Sequence, residues 1–390
     1  MEPQRLTWVV VARGFAALWV YSFHLWFLLG GKALTYGLPS GFAAVPTAIF
    51  KAGYQGVDFF FVLSGFVIAW PYIARRQLHL DRYAVVDFYQ RRYLRIAPAF
   101  YANIVVVVIL IHLHWLRGTR SIAAIAAHLA FLENFNPEWV TSLSDVYWTL
   151  PTEIIFYLLF PLLLRLLNVD RPLRFAAYFI ALSGAYRFVA AWSTLNGGVS
   201  LGWTAGMLPG RLDQFACGVA AACVVAHGRL QPSYLKSGKT LAIVCALTVA
   251  GLITISQNYG ELDAWFYIGP SIAAILIALL IIVVGLNAQA HTQVTGAPQG
   301  RLTRLGARLG EVSLGIYLWH RVFLDLAAEI AARNSLGEST RAVLLFASVP
   351  VTIAISLCSW RLIEAPCIAF SRSDGWRSML RSAVAPAPRI

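Results

Sequence analysis

Of the 390 residues, 59% are hydrophobic and only 13% charged, with a mean hydropathy of +0.66; this excludes a soluble domain of such length and requires a polytopic membrane protein. The net charge of +13 would suit nucleic acid only on a basic face of a soluble fold, whereas here the positive residues fall between apolar segments and report orientation, so no nucleic-acid partner is expected. The five cysteines (Cys217, Cys223, Cys245, Cys358 and Cys367) lie in or beside apolar stretches without ligand spacing, so neither a disulfide framework nor a metal site is expected.

Ten apolar stretches have the length of a span, near residues 8–29, 54–72, 96–114, 146–166, 174–192, 207–226, 240–256, 265–285, 309–329 and 342–360. They predict an all-α polytopic bundle of about ten transmembrane helices, with residues 1–370 as the transmembrane domain and 371–390 as a short basic tail. Ile122–Leu132 is shorter, the length of an interfacial or re-entrant segment. Placing both termini in the cytoplasm puts twenty-one lysines and arginines on the inside against six in the outside loops, so this orientation is preferred. The N-terminal stretch is too long for a cleavable signal and lacks a small-residue cleavage site after it.

The first span, WVVVARGFAALWVYSFHLWFLL, carries Arg13 and His24 inside an apolar run. Eleven residues of helix are about 16 Å and three turns, so the two side chains share a face at different depths. Asp58, Glu153, Arg187, Arg211, Asp213, His320 and Arg321 fall with His24 in the outer half when sorted by position along their spans. A charge in a bilayer centre costs at least about 2.5 kcal/mol unless paired or hydrated, so such a set is either a functional cavity or pairs that staple helices. On the opposite side, RRQLHLDRYAVVDFYQRRYLRIAP places Arg92 and Arg95 one turn apart. Two guanidinium forks on one face suit phosphate, with anchoring to anionic lipid as the plainer reading. Arg13 adds a third fork on that side, which lipid anchoring does not require. No phosphate-cradling Gly-rich loop, dinucleotide fingerprint, nucleophile elbow or HExxH helix is present.

These segments together resemble the membrane-bound acyltransferase 3 family. RGFAALWVYSFH matches its Arg/Lys-x10-His motif, GVDFFFVLSGF its second-span motif, and FYQRRYLRIAPAFY its Arg-x-x-Arg. WTLPTEIIFY, RLDQFACG, EVSLGIYLWH and RLIEAP follow in the family's order. One departure is Val10, where relatives often carry an acid three residues before the arginine; Arg13 then needs a counter-charge such as a ligand phosphate or Glu364. A second is length: 390 residues are short for the fused extracytoplasmic hydrolase-like domain of some relatives, and none is expected.

The resemblance implies transfer of an acyl group, usually acetyl, from cytoplasmic acyl-CoA to a hydroxyl of a carbohydrate or glycoconjugate, in a bacterial cytoplasmic (inner) membrane and without a metal. Arg13, Arg92 and Arg95 would hold the CoA phosphates, and His24 would be the general base. Glu153 or Asp58 would orient His24 or receive its proton, and Arg211 or His320 would stabilise the oxyanion. The alternative function is a transporter or flippase for an anionic or lipid-linked carbohydrate, with the same charges as its path. The acceptor, the donor's acyl length and the oligomeric state stay open.

Overall fold

The computed structural model describes residues 6–31, 40–75, 80, 82–198, 206–227, 237–258, 264–295, 300–373 and 376, and its regular elements are all helical. In chain order these are α1 (Thr7–Leu28), α2 (Ser40–Lys51), a 3-10 turn (Ala52–Gln55), α3 (Gly56–Ala74), α4 (Arg82–His112), α5 (Ile122–Leu129), a 3-10 turn (Glu133–Phe135) and α6 (Thr149–Leu166). There follow α7 (Pro172–Leu195), α8 (Leu212–His227), α9 (Gly238–Asn258), α10 (Ala264–Thr295), α11 (Arg301–Glu311), α12 (Ser313–Arg333), α13 (Glu338–Ser359) and α14 (Ala365–Ser371). Eight described stretches are long and apolar enough to cross a membrane: α1, Ala44–Ala74, Ala84–His112, α6, α7, α9, Tyr267–Gln289 and Glu338–Ser371. The other two predicted spans correspond to α8, which is 16 residues long, and α12, whose Arg321, Asp325, Glu329 and Arg333 lower its hydropathy. The chain is thus a polytopic membrane helix bundle. The predicted tail lies outside the described residues from 377 onward.

The helices differ from the apolar stretches mainly at their ends. α4 begins at Arg82, so Arg92 and Arg95 sit on the helix that enters the bundle and not in a loop. α2, which hydropathy did not mark, leads into α3 through the 3-10 turn. The ninth stretch is broken at Val312: α11 is strongly amphipathic, α12 is not. At the end of α13 the helix widens into a π turn, Trp360–Glu364, before α14. That extra residue per turn brings Glu364 inward, 2% exposed, where it accepts from Ser359 Oγ at 3.2 Å.

Without a hydrophobic drive between lipid-embedded helices, packing depends on small residues and polar links. α3 and α8 cross at Gly65 and Gly218. A Cβ on Gly65 would strike the Phe215 carbonyl and one on Gly218 the Val62 carbonyl, both backbone atoms that cannot yield. Gly14 of α1 and Gly310 of α11 touch in the same way. The polar link is Arg187 on α7, 1% exposed. It donates to Asp213 Oδ2 (3.0 Å), Ser271 Oγ (2.6 Å), and the carbonyls of Gly210 (2.6 Å) and Tyr267 (2.8 Å). Every nitrogen of that guanidinium is satisfied from α8, α10 or the turn before α8. Arg187 and Asp213 are therefore a staple, one of the two readings the sequence left open.

Candidate active site

His24 lies on the face of α1 that meets α12. Its Nδ1 is 3.1 Å from the Val20 carbonyl, one turn back, and 3.2 Å from His320 Nε2. The network assigns the protons. His320 Nδ1 faces two carbonyls, Tyr317 O at 2.7 Å and Ile316 O at 3.1 Å, so it must donate. In a neutral, fully buried His320 the Nε2 is then an acceptor, and His24 Nδ1 must carry the hydrogen. What remains is His24 Nε2, an unprotonated ring nitrogen, on a residue lining a cavity of ≈ 170 Å³.

Val20, Phe23, His24, Tyr54, Val57, Asp58, Asp145, Val146, Trp148, Arg211 and Tyr317 line that cavity. Asp58 sits in the first turn of α3; its Oδ1 accepts from Arg211 (3.1 Å) and from Gln214 Nε2 (2.8 Å). Arg211 also stacks over Trp148, 5.4 Å from the ring centroid, and its buried Nε–H has no partner. A guanidinium with one arm tied and one donor unspent can receive developing negative charge.

Arg13 lines a second, smaller cavity of ≈ 30 Å³ with Val57, Phe60, Phe61, Thr149, Leu150, Glu153, Ser313, Leu314 and Tyr317. Val57 and Tyr317 border both cavities, so the two lie end to end along α1. Tyr317 is fixed as the partition: its hydroxyl donates to the Val146 carbonyl at 2.8 Å and accepts from Thr149 at 2.9 Å. Glu153 belongs to the Arg13 side, where its Oε1 accepts from Ser64 (2.6 Å) and Tyr157 (2.5 Å). Arg13 feels the charges of Arg92, Arg95 and Glu153, and Glu364 feels Arg13 and Arg95. Arg13 lies 5.6 Å from the Phe60 ring centroid, Arg92 5.6 Å from that of Phe88 and 5.9 Å from that of Tyr157. The Nε–H groups of Arg13 and Arg92 are buried without partners. Three guanidinium groups facing two carboxylates leave an excess positive charge and spare donors, the condition for holding an anion.

The structure thus groups the eight sequence-selected residues in two sets. His24, Asp58 and Arg211 share one cavity with His320 behind the His24 ring, while Arg13, Arg92, Arg95 and Glu153 share the other neighbourhood. Depth along the spans placed Glu153 with His24; the fold places it with Arg13. Sequence reasoning passed over Asp145, in the stretch SLSDVYW, which lines the same cavity as His24 and pairs with Arg321 Nε at 2.9 Å. Its three-residue spacing before Trp148 of the WTLPTEIIFY motif was the available signal.

Behind the same stretch lies a separate polar pocket. Tyr147 donates to Asn103 and faces His128, ring centroids 5.8 Å apart. Glu133, fully buried with both carboxylate oxygens unpartnered, has its carboxyl pushed up to about 8 by loss of water; burial also lowers His128 below its ordinary value.

Residues 6–361 match a family described as acyltransferase domain, acyltransferase 3. The chain belongs to the acyltransferase 3 family. Curated relatives include the peptidoglycan O-acetyltransferase OatA of Listeria monocytogenes serovar 1/2a, 28% identical over 343 residues, which span 81% of this chain but only 51% of that protein. The acyltransferase MdmB of Streptomyces mycarofaciens is 26% identical across 99% of this chain and 97% of its own. The exopolysaccharide production protein ExoZ of Rhizobium meliloti is 27% identical across 83% and 92%. No solved structure matches the chain. The protein is therefore a membrane-bound acyltransferase, and the resemblance read from the motifs holds across nearly all of its length.

Proposed function

We propose that this acyltransferase moves an acetyl group from cytoplasmic acetyl-CoA to a hydroxyl of a carbohydrate or glycoconjugate in a bacterial cytoplasmic membrane. The observation that carries the reading is the pair of end-to-end cavities along α1, one bearing Arg13 and the other His24, with Tyr317 and Val57 between them. An acyl-CoA has the matching anatomy: phosphates at one end, a thioester at the other, and a thin arm to cross the partition. Arg13, Arg92 and Arg95 hold the phosphates, with Glu153 and Glu364 limiting their mutual repulsion when no donor is bound.

In the His24 cavity the acceptor hydroxyl gives its proton to His24 Nε2 as its oxygen attacks the thioester carbonyl. The Arg211 Nε–H meets the oxygen on which negative charge collects, while Asp58 holds Arg211 in place. The carbon–sulfur bond then breaks, the leaving thiolate recovers the proton from the imidazolium, and ester and free CoA result. His320 acts through His24: by accepting from Nδ1 it keeps the bare lone pair on Nε2. OatA and ExoZ, by their names, concern peptidoglycan and exopolysaccharide, and this supports a carbohydrate acceptor here.

The test is free-thiol release from acetyl-CoA by purified protein with and without an acceptor glycan. Acceptor-dependent release that disappears in His24→Ala, at wild-type protein levels, is the expected result. Release that survives the substitution excludes His24 as the base.

A further inference from the structure

Asp145 has no part in the chemistry above, yet it lines the His24 cavity, and its ion-pair partner Arg321 extends from α12, the helix that brings His320 against His24. Arg321, on α12 one residue past His320, has its Nε 2.9 Å from Asp145 Oδ1 and its Nη2 3.1 Å from Asp325 Oδ1. The Arg321 side chain is 15% exposed, while Asp145 is 43% and Asp325 37% exposed. The guanidinium is thus withdrawn between two carboxylates, of which Asp145 lines the cavity and Asp325 holds the guanidinium from α12. Arg321 Nε–H is not aligned on Asp145 and makes no hydrogen bond, so the pair is electrostatic and leaves Asp145 oxygens able to accept elsewhere. The neighbouring pair, Asp58 with Arg211, is balanced. Further out along α12, Glu329 lies between Arg333 and the 93% exposed Arg117, where solvent and salt screen the charges. At the wall of the His24 cavity, by contrast, Asp145 shares one guanidinium with Asp325, and the three groups leave a formal charge of −1.

We propose that Asp145, Arg321 and Asp325 form an acceptor-selecting group, which admits a sugar carrying only hydroxyls or a protonated amine beside the reacting hydroxyl and rejects one carrying a carboxylate or phosphate there. The proposal rests on the reading that the acceptor is acylated in the His24 cavity. Its physical basis is selection by repulsion. A half-exposed carboxylate accepts hydrogen bonds from sugar hydroxyls or from an ammonium group. An anionic substituent arriving within a few ångströms meets a like charge in a partly desolvated cleft, which disfavours it by about tenfold or more. Asp145 is also carried on the strand of chain between the two polar regions, with Val146 held by Tyr317 and Tyr147 by Asn103, so its position is set from both sides.

The experiment uses the full chain in detergent, acetyl-CoA, and three acceptor probes: methyl glucoside, methyl glucosaminide and methyl glucuronide, with product acetylation read by mass spectrometry. Wild type is expected to use the glucosaminide and glucoside at least about tenfold better in kcat/KM than the glucuronide. In Asp145→Asn/Asp325→Asn the discrimination against glucuronide shrinks by about fivefold or more, through acceptor KM, with acetyl-CoA affinity unchanged. In Arg321→Gln, which removes the positive charge, the discrimination widens, a change of sign that a merely structural role does not produce. Protection of His24 from diethyl pyrocarbonate by the same sugars ranks them without turnover. Equal use of, or equal protection by, glucuronide in wild type overturns the proposal, as does a ranking unmoved by the Asn variants. Transfer that persists in His24→Ala instead sinks the catalytic reading, which separates the two failures.

Discussion

The division of labour between His24 and His320 makes different variants informative. Replacing the base removes a contribution worth about 10²–10⁴ in rate, so His24→Ala is expected to lose at least about a hundredfold in kcat. His320 touches no reacting atom, and what it supplies is an acceptor for His24 Nδ1. His320→Gln, with a carbonyl oxygen near that place, should retain more activity than His320→Leu, and the pH profile of the Leu variant should move while that of the Gln variant stays close to wild type. Equal loss in both variants would mean the ring's packing, and not its lone pair, is what α12 contributes. Glu133 offers a second test, on stability. Its carboxyl, pushed by burial from the ordinary carboxylate range up to about 8, keeps its proton in the folded protein where the unfolded chain would give it up. The raised value means that stability is full below the unfolded pKa and falls as pH climbs through the folded one. Glu133→Gln should therefore flatten the thermal midpoint between pH 6 and 9 and raise it by about 1–3 °C at the alkaline end; a wild-type midpoint that does not fall with pH would show the carboxyl already solvated or paired.

At the scale of elements, two helix contacts control the site's geometry. Gly218 of α8 presses on the Val62 carbonyl of α3, and α3 and the turn before α8 carry Asp58 and Arg211. Gly218→Leu should push these elements apart, costing about 1–3 kcal/mol or more of stability and breaking the Asp58–Arg211 pair, with a lower thermal midpoint as the readout. Along α1, periodicity matters as much as residue type. Exchanging the neighbours Phe23 and His24 turns the imidazole by about 100°, so that it still borders the cavity but loses Val20 O and His320. Transfer should fall by at least tenfold while CoA binding, governed three turns away at Arg13, stays within about twofold; equal loss of both would mark the pair as structural. The Arg13–His24 spacing, the two glycine-bearing motifs and the Arg92–Arg95 turn were legible in the sequence because one helix fixes the relation of its own residues. The partner of each acid was not. Depth along a span does not say which neighbour a side chain meets, so Glu153 read as a companion of His24, Arg187 and Asp213 stayed open between cavity and staple, and Asp145, on irregular chain between helices, was not read at all. The inward turn of Glu364 depends on a π turn, which hydropathy does not report.

For the whole molecule, the question is whether the buried charges serve chemistry or passage. A transporter needs a path that its substrate can traverse, with the charges spaced along it. Here the two charged neighbourhoods are separated by a tyrosine tied down through two hydrogen bonds, and the cavity on the Arg13 side is only ≈ 30 Å³. A sugar does not fit through that junction without repacking α6 against α12, whereas an extended thiol arm needs far less room. The arginines differ from the partition in what they should change. Arg92→Gln combined with Arg95→Gln removes two of three phosphate donors and should raise the acetyl-CoA KM by about tenfold or more with kcat at saturation reduced much less, since uniform binding is what is lost. Tyr317→Ala opens the partition and should leave that KM near wild type but let acetyl-CoA be hydrolysed without acceptor, because the side chain that seats the thioester between the two cavities is gone and water can take the acceptor's place. Measured side by side, thiol release in the two variants decides the matter: opposite responses require a donor site and a reaction site joined through Tyr317, while acceptor movement across vesicles without any thiol release requires a carrier.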